Sequence, residues 1–386
     1  MKKFSIALTA ALLSIVATGC NEMDQYPHNA VSPDNITAED AQLLLTGLYF
    51  YTTAKPTVDG YLTNDIAGCD LARGNGSGLE DPLLVVNNLI VPSGGFISGP
   101  WNGYYTCLHQ INLFFQSIET LPPSQSRNEM YGTASFFRGL LYYELVSRWG
   151  EVPIIETPTN NDVANATEAE GWAFVERNFQ AAIDNCPKFT DKNYVSREAA
   201  KAMMARTQLA MGNKAEAAAL AEELIGDVNF ALADFDKIFR GVANNEEIFT
   251  FSNLTIESGV KRSASLYTRI HPNGGSGLYA PTTDVMNMFD DDDKRKAISV
   301  DMQENNRVIN KFPGGEVESD PIIITRLGEM YLIAAEGKGL AGGLSRLNEL
   351  RAFRGLGPVS PSTEDEFLTA VLNERPLELL GEGFRR

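Results

Sequence analysis

Histidine is scarce in this chain, with three in 386 residues, and it is the side chain that acid–base and metal chemistry uses most often. The three lie far apart, at His28, His109 and His271. The sequence has no zinc-binding H-E-x-x-H motif, no G-x-S-x-G nucleophile elbow and no P-loop. The alternating glycines from Gly74 to Gly78 do not open a helix, so they are no dinucleotide fingerprint. The sequence therefore favours a protein that is not an enzyme. Its many carboxylates leave a glycoside hydrolase pair open as an alternative.

Cysteine is also scarce, with four residues and no C-x-x-C motif, so neither a zinc knuckle nor a thioredoxin-type site is indicated. If Cys20 carries a lipid, as argued below, three cysteines remain, and an odd number cannot pair completely within the chain. Cys107 and Cys186 fall in helix-like runs, and we interpret both as small buried apolar side chains.

Positive charge is in short supply, because 32 Lys and Arg face 50 Asp and Glu, for a net charge of −18. Like charge opposes binding to nucleic acid and to anionic headgroups, so no nucleic acid partner is expected. The acidic run from Asp290 to Asp293 lacks the glycine and the distal glutamate of an EF-hand, and we interpret it as a solvated turn. We predict no metal and no other cofactor.

The N-terminus is typical of an exported lipoprotein. The apolar run of residues 4–16 follows two lysines, is too short to span a bilayer stably, and has the length of a signal-peptide core. Small residues and then Cys20 come next. We predict a signal peptide over 1–19, acylation of Cys20 and a lipidated tether over 20–36, which would attach the chain to a membrane. Ala17 departs from the usual Leu or Val, so ordinary cleavage nearby is the alternative.

The clearest helical pattern lies in residues 134–154. Phe137, Leu141, Leu145 and Trp149 recur at every fourth position beside a second apolar seam, which predicts a helix buried between neighbours. Gly150 is expected to cap this helix and Pro153 prevents its continuation. The helix also contains two arginines, Arg138 and Arg148, whose charges need partners.

Further helices are predicted on both sides of it. Residues 101–121 pair with 126–149, 172–186 with 196–211, and 216–225 returns after a glycine turn; the alanines at the crossing points resemble tetratricopeptide repeats. We predict a mainly α fold, with tetratricopeptide-like helix pairs forming an α-superhelical scaffold with long irregular loops and a few short strands. The pairs occupy about 97–226 and 320–382 of a single domain over 37–386.

The remaining segments are predicted from composition and local pattern. Residues 247–252 and 307–313 are predicted to be strands. A long helix is predicted to start at Asp320 and Pro321, and a last helix is predicted over 363–380. Residues 55–99 and 255–280 are rich in glycine and lack periodicity, so both are predicted to be irregular loops. Loops this long are more often functional than decorative.

Several stretches, taken in order, resemble the SusD/RagB family of outer-membrane nutrient-binding lipoproteins of Bacteroidetes. After Cys20 and its acidic tether come a W-x-x-x-Y with a downstream Asn, an R…W-G-E-V-P element, an R-x-x-E-x-Y-L element, an L-N-x-L-R and an E-R-P-x-E-L-x-x-E-G-x-R. These elements start at Trp101, Arg138, Arg326, Leu347 and Glu374.

The match has departures. Gly328 replaces the usual alanine, and Pro376 replaces the usual arginine inside a helix, where it is predicted to kink or restart that helix. The chain stops at Arg386, where family members continue, which indicates a truncated C-terminus.

The resemblance implies binding and not catalysis. Members of this family capture glycans, or sometimes peptides, at the cell surface and cover a SusC-type TonB-dependent transporter in the outer membrane. We therefore expect a lipid-anchored protein that faces the exterior and passes oligosaccharide to such a transporter. A peptide-binding role and a purely protein–protein assembly role are the alternatives.

The family's ligand surface lies in loops outside the repeats, which here are 55–99 and 255–280. Aromatic rings for stacking and polar groups for hydrogen bonds are the side chains that hold a sugar. The candidates are Tyr61, Asn64, Asp65, Asp70, Arg73, Asn75, Tyr267 and Tyr279. Trp101, at a loop–helix junction, is a further candidate whose simpler interpretation is core packing, the role that we assign to Trp149 and Trp172.

Overall fold

The computed structural model of the protein describes residues 36–55, 57–74, 89, 91–252, 277–303, 305–312 and 320–384. The predicted signal peptide, the lipidated Cys20 and all of the tether except Ile36 lie outside the described residues. So do most of residues 75–90 and 253–276, within the two predicted loops.

The first half of the chain is almost entirely helical. Its elements are α1 (Ala38–Ala54), α2 (Thr57–Ala67), β1 (Leu71–Arg73), α3 (Gly95–Glu119), α4 (Gln125–Trp149), α5 (Glu168–Asn185), α6 (Arg197–Ala210) and α7 (Lys214–Ile225). Side-chain caps define several of the helix starts, because Thr37 and Thr167 each form a reciprocal capping box with the acidic residue three positions later.

The second half mixes short elements with two long helices. Its elements are α8 (Phe235–Phe239), β2 (Glu247–Phe251), β3 (Tyr279–Pro281), α9 (Thr283–Met288), α10 (Lys296–Ser299), β4 (Val300–Gln303), β5 (Asn306–Ile309), β6 (Ile322–Arg326), α11 (Leu327–Phe353) and α12 (Glu364–Leu379). Helix α11 is broken at Gly339, whose φ of 65° suits glycine. A mainly helical fold with a few short strands is thus confirmed.

The long helices pack in one continuous series. Each of α3 to α7 contacts the next, α7 then contacts α11, and α11 contacts α12, so the two predicted groups of repeats form one scaffold. Small residues allow the α7–α11 contact, because a Cβ on Gly337 would lie 2.5 Å from the carbonyl oxygen of Lys214. The main hydrophobic core lies between α1, α3–α7, β2, β6 and the start of α11.

Helix α4 is buried at the centre of this series and ends at Gly150, as predicted. Both arginines of this buried helix have partners. The Nε of Arg138 donates to Asn178 on α5 at 2.7 Å, and its guanidinium lies 4.2 Å from the ring centre of Phe115. Arg148 donates to the carbonyl oxygen of Gly60 and to Glu144. Both charges therefore have the partners that their burial requires.

Among the described residues, the strands form three antiparallel pairs, β1 with β3, β2 with β6 and β4 with β5. Strand β2 confirms the prediction at 247–252, and β5 matches part of 307–313. The helix start predicted at Asp320 is wrong, because Ile322–Arg326 is a strand and α11 begins at Leu327. Three consecutive isoleucines favour a buried strand, and the fully buried β2 supplies its partner.

Two other expectations are corrected. Helix α12 continues through Pro376, since this proline lies in the last turn and its own carbonyl accepts from the amide of Leu380 at 3.2 Å. The acidic run is solvated from Asp290 to Asp292, but Asp293 is buried and binds the guanidinium of Arg295 at 2.8 Å.

Over the ranges that the structure describes, no helix combines the length and apolar character needed to cross a bilayer.

Candidate ligand-binding platform

Strands β1 and β3 join the two segments that the sequence predicts to bind ligand. Arg73 pairs with Tyr279, and the amide of Gly74 donates to the carbonyl of Leu278 at 2.8 Å. A Cβ on Gly74 would collide with the carbonyl of Gly277, so the close approach of the two strands requires glycine here. The first segment leaves this pair after Gly74 and the second returns to it at Gly277. We call residues 70–74 and 277–282 the β1–β3 platform.

The platform rests on its own hydrophobic core. Leu71 and Tyr279 are fully buried together with Leu62 and Ile66 from α2, and Ile97 from the first turn of α3 packs against them. The prediction of an irregular stretch over 55–99 is therefore wrong in part, because residues 57–67 form α2 and α3 already begins at Gly95. The sequence of α2 has only a weak helical pattern, so contacts of Leu62 and Ile66 with this core stabilise the helix.

Asn64 and Asp65 bind the C-terminal turn of the chain. The side-chain amide of Asn64 donates to the carbonyl of Gly383 at 3.1 Å, and the carboxylate of Asp65 accepts from the amide of Gly383 at 3.1 Å. Both side chains are buried. Their polar groups hold α2 against a segment more than 300 positions away, which is a structural role that sequence spacing does not reveal.

The other candidates fall into two groups. Asp70 and Tyr279 are buried within the platform, and the carbonyl of Asp70 accepts from the amide of Thr282 at 2.9 Å. Arg73 and Trp101 are partly exposed, and the Trp101 ring lies 5.2 Å from that of Trp149 in an edge-on contact. Trp101 thus packs on the main core and is partly exposed.

The remaining candidates are not placed in the same detail. Tyr61 belongs to α2, but its side chain lies outside the described part of the structure. Asn75 and Tyr267 lie outside the described residues altogether. In the described ranges, no group of three or more His, Cys, Asp or Glu side chains is arranged to hold a metal ion.

A buried ionic network holds the C-terminal turn that α2 binds. Arg326 contacts Glu378 at 2.6 Å and Glu382 at 2.9 Å, and both carboxylates have further cationic partners. The network contains five cations and five carboxylates: Arg295, Lys311, Arg326, Arg351, Arg354, Glu246, Asp293, Glu374, Glu378 and Glu382. All of them are buried except Arg351, which is half-buried.

The electrostatics of the network favour its charged state. Burial alone would raise the pKa of Glu378, but the three arginines around it hold that pKa well below its ordinary value. Burial likewise opposes ionisation of Glu382, and the charges of Arg326 and Lys311 outweigh it and lower the pKa of Glu382. Burial lowers the pKa of Lys311 to about 8 despite its carboxylate partner.

Only part of this network lies in the family-like motifs of the sequence. Arg326, Glu378 and Glu382 are motif residues, whereas Glu246, Lys311 and Arg354 lie outside the motifs and carry no local pattern that predicts burial. The remaining signal is a charged residue beside an apolar run, since a buried charge requires a partner. Which charges meet depends on contacts between distant segments, such as Glu246 with Arg354 at 2.7 Å.

The network yields a prediction for Glu378→Gln. This change leaves three buried arginines without their shared carboxylate, and we expect a loss of about 3–5 kcal/mol in the free energy of unfolding. Denaturant unfolding at pH 7 measures it, with the exposed Glu216→Gln in α7 as the matched control. Equal stability of the two variants would contradict the role assigned to Glu378.

The same variant should alter the response to acid. Because Glu378 and Glu382 have pKa values below the ordinary 4.5 in the folded state, their stabilisation is complete above that pH and is lost as the pH falls further. Melting temperatures from pH 7 to pH 3 should therefore fall less steeply in Glu378→Gln than in the wild type.

Comparison with known proteins agrees with this architecture. A family model described as starch-binding and associating with the outer membrane matches residues 85–209, and a model of the SusD family matches residues 308–386. SusD-like protein P2 of Formosa agariphila is 23% identical, over all of this chain and 90% of that protein.

Solved structures show the same fold. A SusD superfamily protein from Parabacteroides distasonis has a TM-score of 0.80 at 19% identity, over 90% of this chain and 87% of that one. A laminarin-binding SusD-like protein has a TM-score of 0.78 at 21% identity, over 90% and 89% of the two chains. Surface glycan-binding protein A from Bacteroides uniformis has a TM-score of 0.78 at 20% identity, over 90% and 87%. The two family models match separate parts of the chain, and the solved structures share its fold. The chain therefore belongs to the SusD/RagB family.

Proposed function

We propose that this protein is a cell-surface glycan-binding lipoprotein that delivers oligosaccharide to a SusC-type TonB-dependent transporter in the outer membrane. The observation that carries the proposal is the pairing of β1 with β3. It brings the ends of the two predicted ligand segments to one place on a helical scaffold, so that both can contribute to one binding surface. The matching family description supports starch-like ligands and outer-membrane association.

Two partly exposed side chains fit this role. Arg73 on the platform has a guanidinium that can donate to sugar hydroxyls, and Trp101 in α3 has a partly exposed aromatic ring. The buried Asn64, Asp65, Asp70 and Tyr279 support the platform from below and are not proposed as direct contacts. Tyr61, Asn75 and Tyr267 stay proposed contacts on sequence grounds.

The ligand class follows from relatives. One structurally similar protein is described as binding laminarin and another as a surface glycan-binding protein. We extend the general class, a glycan, to this chain. Peptide binding, pure assembly and glycoside hydrolysis are the competing functions, and release of reducing sugar by the purified protein would favour the last.

The first test is calorimetric titration with oligosaccharides. Arg73→Ala should weaken binding by about tenfold to a hundredfold, because a hydrogen bond from a charged donor contributes about 1.5–3 kcal/mol. The control is Arg177→Ala. Arg177 is an exposed arginine of α5 that forms an ion pair with Glu156. Equal losses in both variants, or none in either, would contradict the assignment of Arg73. Heat with peptides alone would favour the peptide-binding alternative.

The anchor and the transporter form the second part of the proposal. Acylation of Cys20 would hold the mature chain at the membrane through its lipid, since multiple acyl chains give durable anchoring where a single chain does not. The stacked helices would then offer a broad protein surface to the transporter. This arrangement places a captured glycan next to the route of its import.

Replacing the lipidated cysteine tests this part. In cells, Cys20→Ala should move the protein from the outer-membrane fraction to a soluble fraction, while Cys69→Ala, which removes an exposed cysteine, should not. Detergent extraction of tagged wild-type protein should co-purify a SusC-type transporter. An unchanged distribution of Cys20→Ala would contradict the anchor, and absence of the transporter would contradict the partnership.

A further inference from the structure

The described residues form a large cleft beside α1. It has a volume of about 920 Å3 and lies between α1, the first turns of α4, the connection from α5 to α6 and the end of β2. Ligand pockets in proteins are about 300–1,000 Å3, so this cleft is large enough for several sugar units. None of its lining residues belongs to the platform. The proposed function makes no use of it.

Two large aromatic rings line this cleft and remain accessible. Tyr194 is 65% exposed and Phe50 is 45% exposed. On α1, Phe50 follows Gln42 and Thr46 at intervals of four residues, so the three share one helix face, and all three are exposed. Aromatic side chains are costly to leave in water, and two in one concavity indicate a surface that binds something.

The turn that carries Tyr194 is held rigidly. The amide of Val195 donates to the Tyr49 hydroxyl at 2.8 Å, and the side chain of Asn193 donates to the carbonyl of Thr250 at 2.9 Å. The amide of Thr250 in turn donates to the carbonyl of Lys192 at 2.9 Å. The turn is thus fixed to α1 on one side and to β2 on the other, so little conformational entropy would be lost on binding.

The Tyr194 ring is also supported from below. It meets the ring of Tyr49 in an edge-on contact, with 6.4 Å between the ring centres, and Tyr49 packs at 4.7 Å against the buried Phe137. The Tyr194 ring therefore contacts the core through Tyr49 and is exposed over most of its surface. A sugar ring binds an aromatic face through its C–H groups while its hydroxyls reach polar neighbours.

The polar lining of the cleft fits hydroxyl groups and not anions. It includes amides, hydroxyls and two carboxylates, those of Asp191 and Glu129. The described residues that line the cleft include no Lys, Arg or His. An anionic sugar would meet negative charge without a cationic partner, whereas a neutral sugar can donate its hydroxyls to carboxylates and accept from amides.

We propose that this cleft is a second glycan-binding site, which takes a neutral oligosaccharide with one sugar ring stacked on Tyr194. Asp191 and Gln42 provide hydrogen bonds around the stacked ring. The ligand class rests on the proposed function, but the residues are different from those of the platform. Two sites on one chain would strengthen the capture of a long glycan through effective concentration.

Titration of the full-length mature protein with neutral hexasaccharides tests the proposal. The probes are maltohexaose, laminarihexaose, cellohexaose and mannohexaose, with hexagalacturonate as the acidic comparison. The wild type should bind at least one neutral probe at two sites. Tyr194→Ala should lose one of the two sites or weaken it about tenfold or more. The matched control is Tyr131→Ala, which removes a tyrosine that is 40% exposed and lies outside the cleft.

The platform variant separates this proposal from the proposed function. If Tyr194→Ala loses one site and Arg73→Ala loses the other, both sites are supported. If Tyr194→Ala binds like the wild type while Arg73→Ala abolishes binding, the cleft is overturned and the platform stands. The reverse pattern keeps the cleft and overturns the platform. Absence of binding by every neutral probe, or a preference of the Tyr194 site for hexagalacturonate, overturns the cleft proposal.

Discussion

Arg326 is buried together with Glu378 and Glu382, and this ionic cluster links distant segments of the chain. Charges removed from water in this way are tolerated only as a complete set, because removing one leaves its partners unpaired at a cost of several kcal/mol. The set includes residues of β6, α11, α12 and the segment before β2, so one group of contacts holds these elements together. It also positions Gly383, whose backbone binds Asn64 and Asp65 on α2. Helix α2 then supports the β1–β3 platform.

Several motif residues make contacts within the scaffold. Arg138 donates to Asn178 of α5, and its neighbour in the same helix, Arg148, donates to the backbone of α2. Arg326 and Glu378 belong to the ionic network. The motif residues thus stabilise the scaffold that supports the platform. We propose that side chains of the platform and of the two predicted ligand segments select the ligand.

The sequence predicts much of the fold, because the 3.6-residue period of apolar residues identifies long amphipathic helices. It failed at Ile322–Arg326, where three isoleucines fit a buried helix or a buried strand and only the position of β2 decides. It also missed α2, whose Gly60 and polar residues give a weak helical signal. The site residues are harder to predict from sequence. Asn64 and Asp65 have side chains that could bind a sugar, but in the structure both bind Gly383, which is distant in sequence. Such pairings follow from the folded chain and not from local pattern.

Amide hydrogen exchange in Glu382→Gln measures whether the ionic network positions the β1–β3 platform. Loss of this charge weakens the contacts of Arg326 and Lys311 next to Gly383. We predict that exchange accelerates more in residues 62–74 and 278–281 than in residues 136–146 of α4, whose exchange reports only the loss of overall stability. Equal acceleration in the platform and in α4, or unchanged exchange at 62–74, would contradict this role of the network.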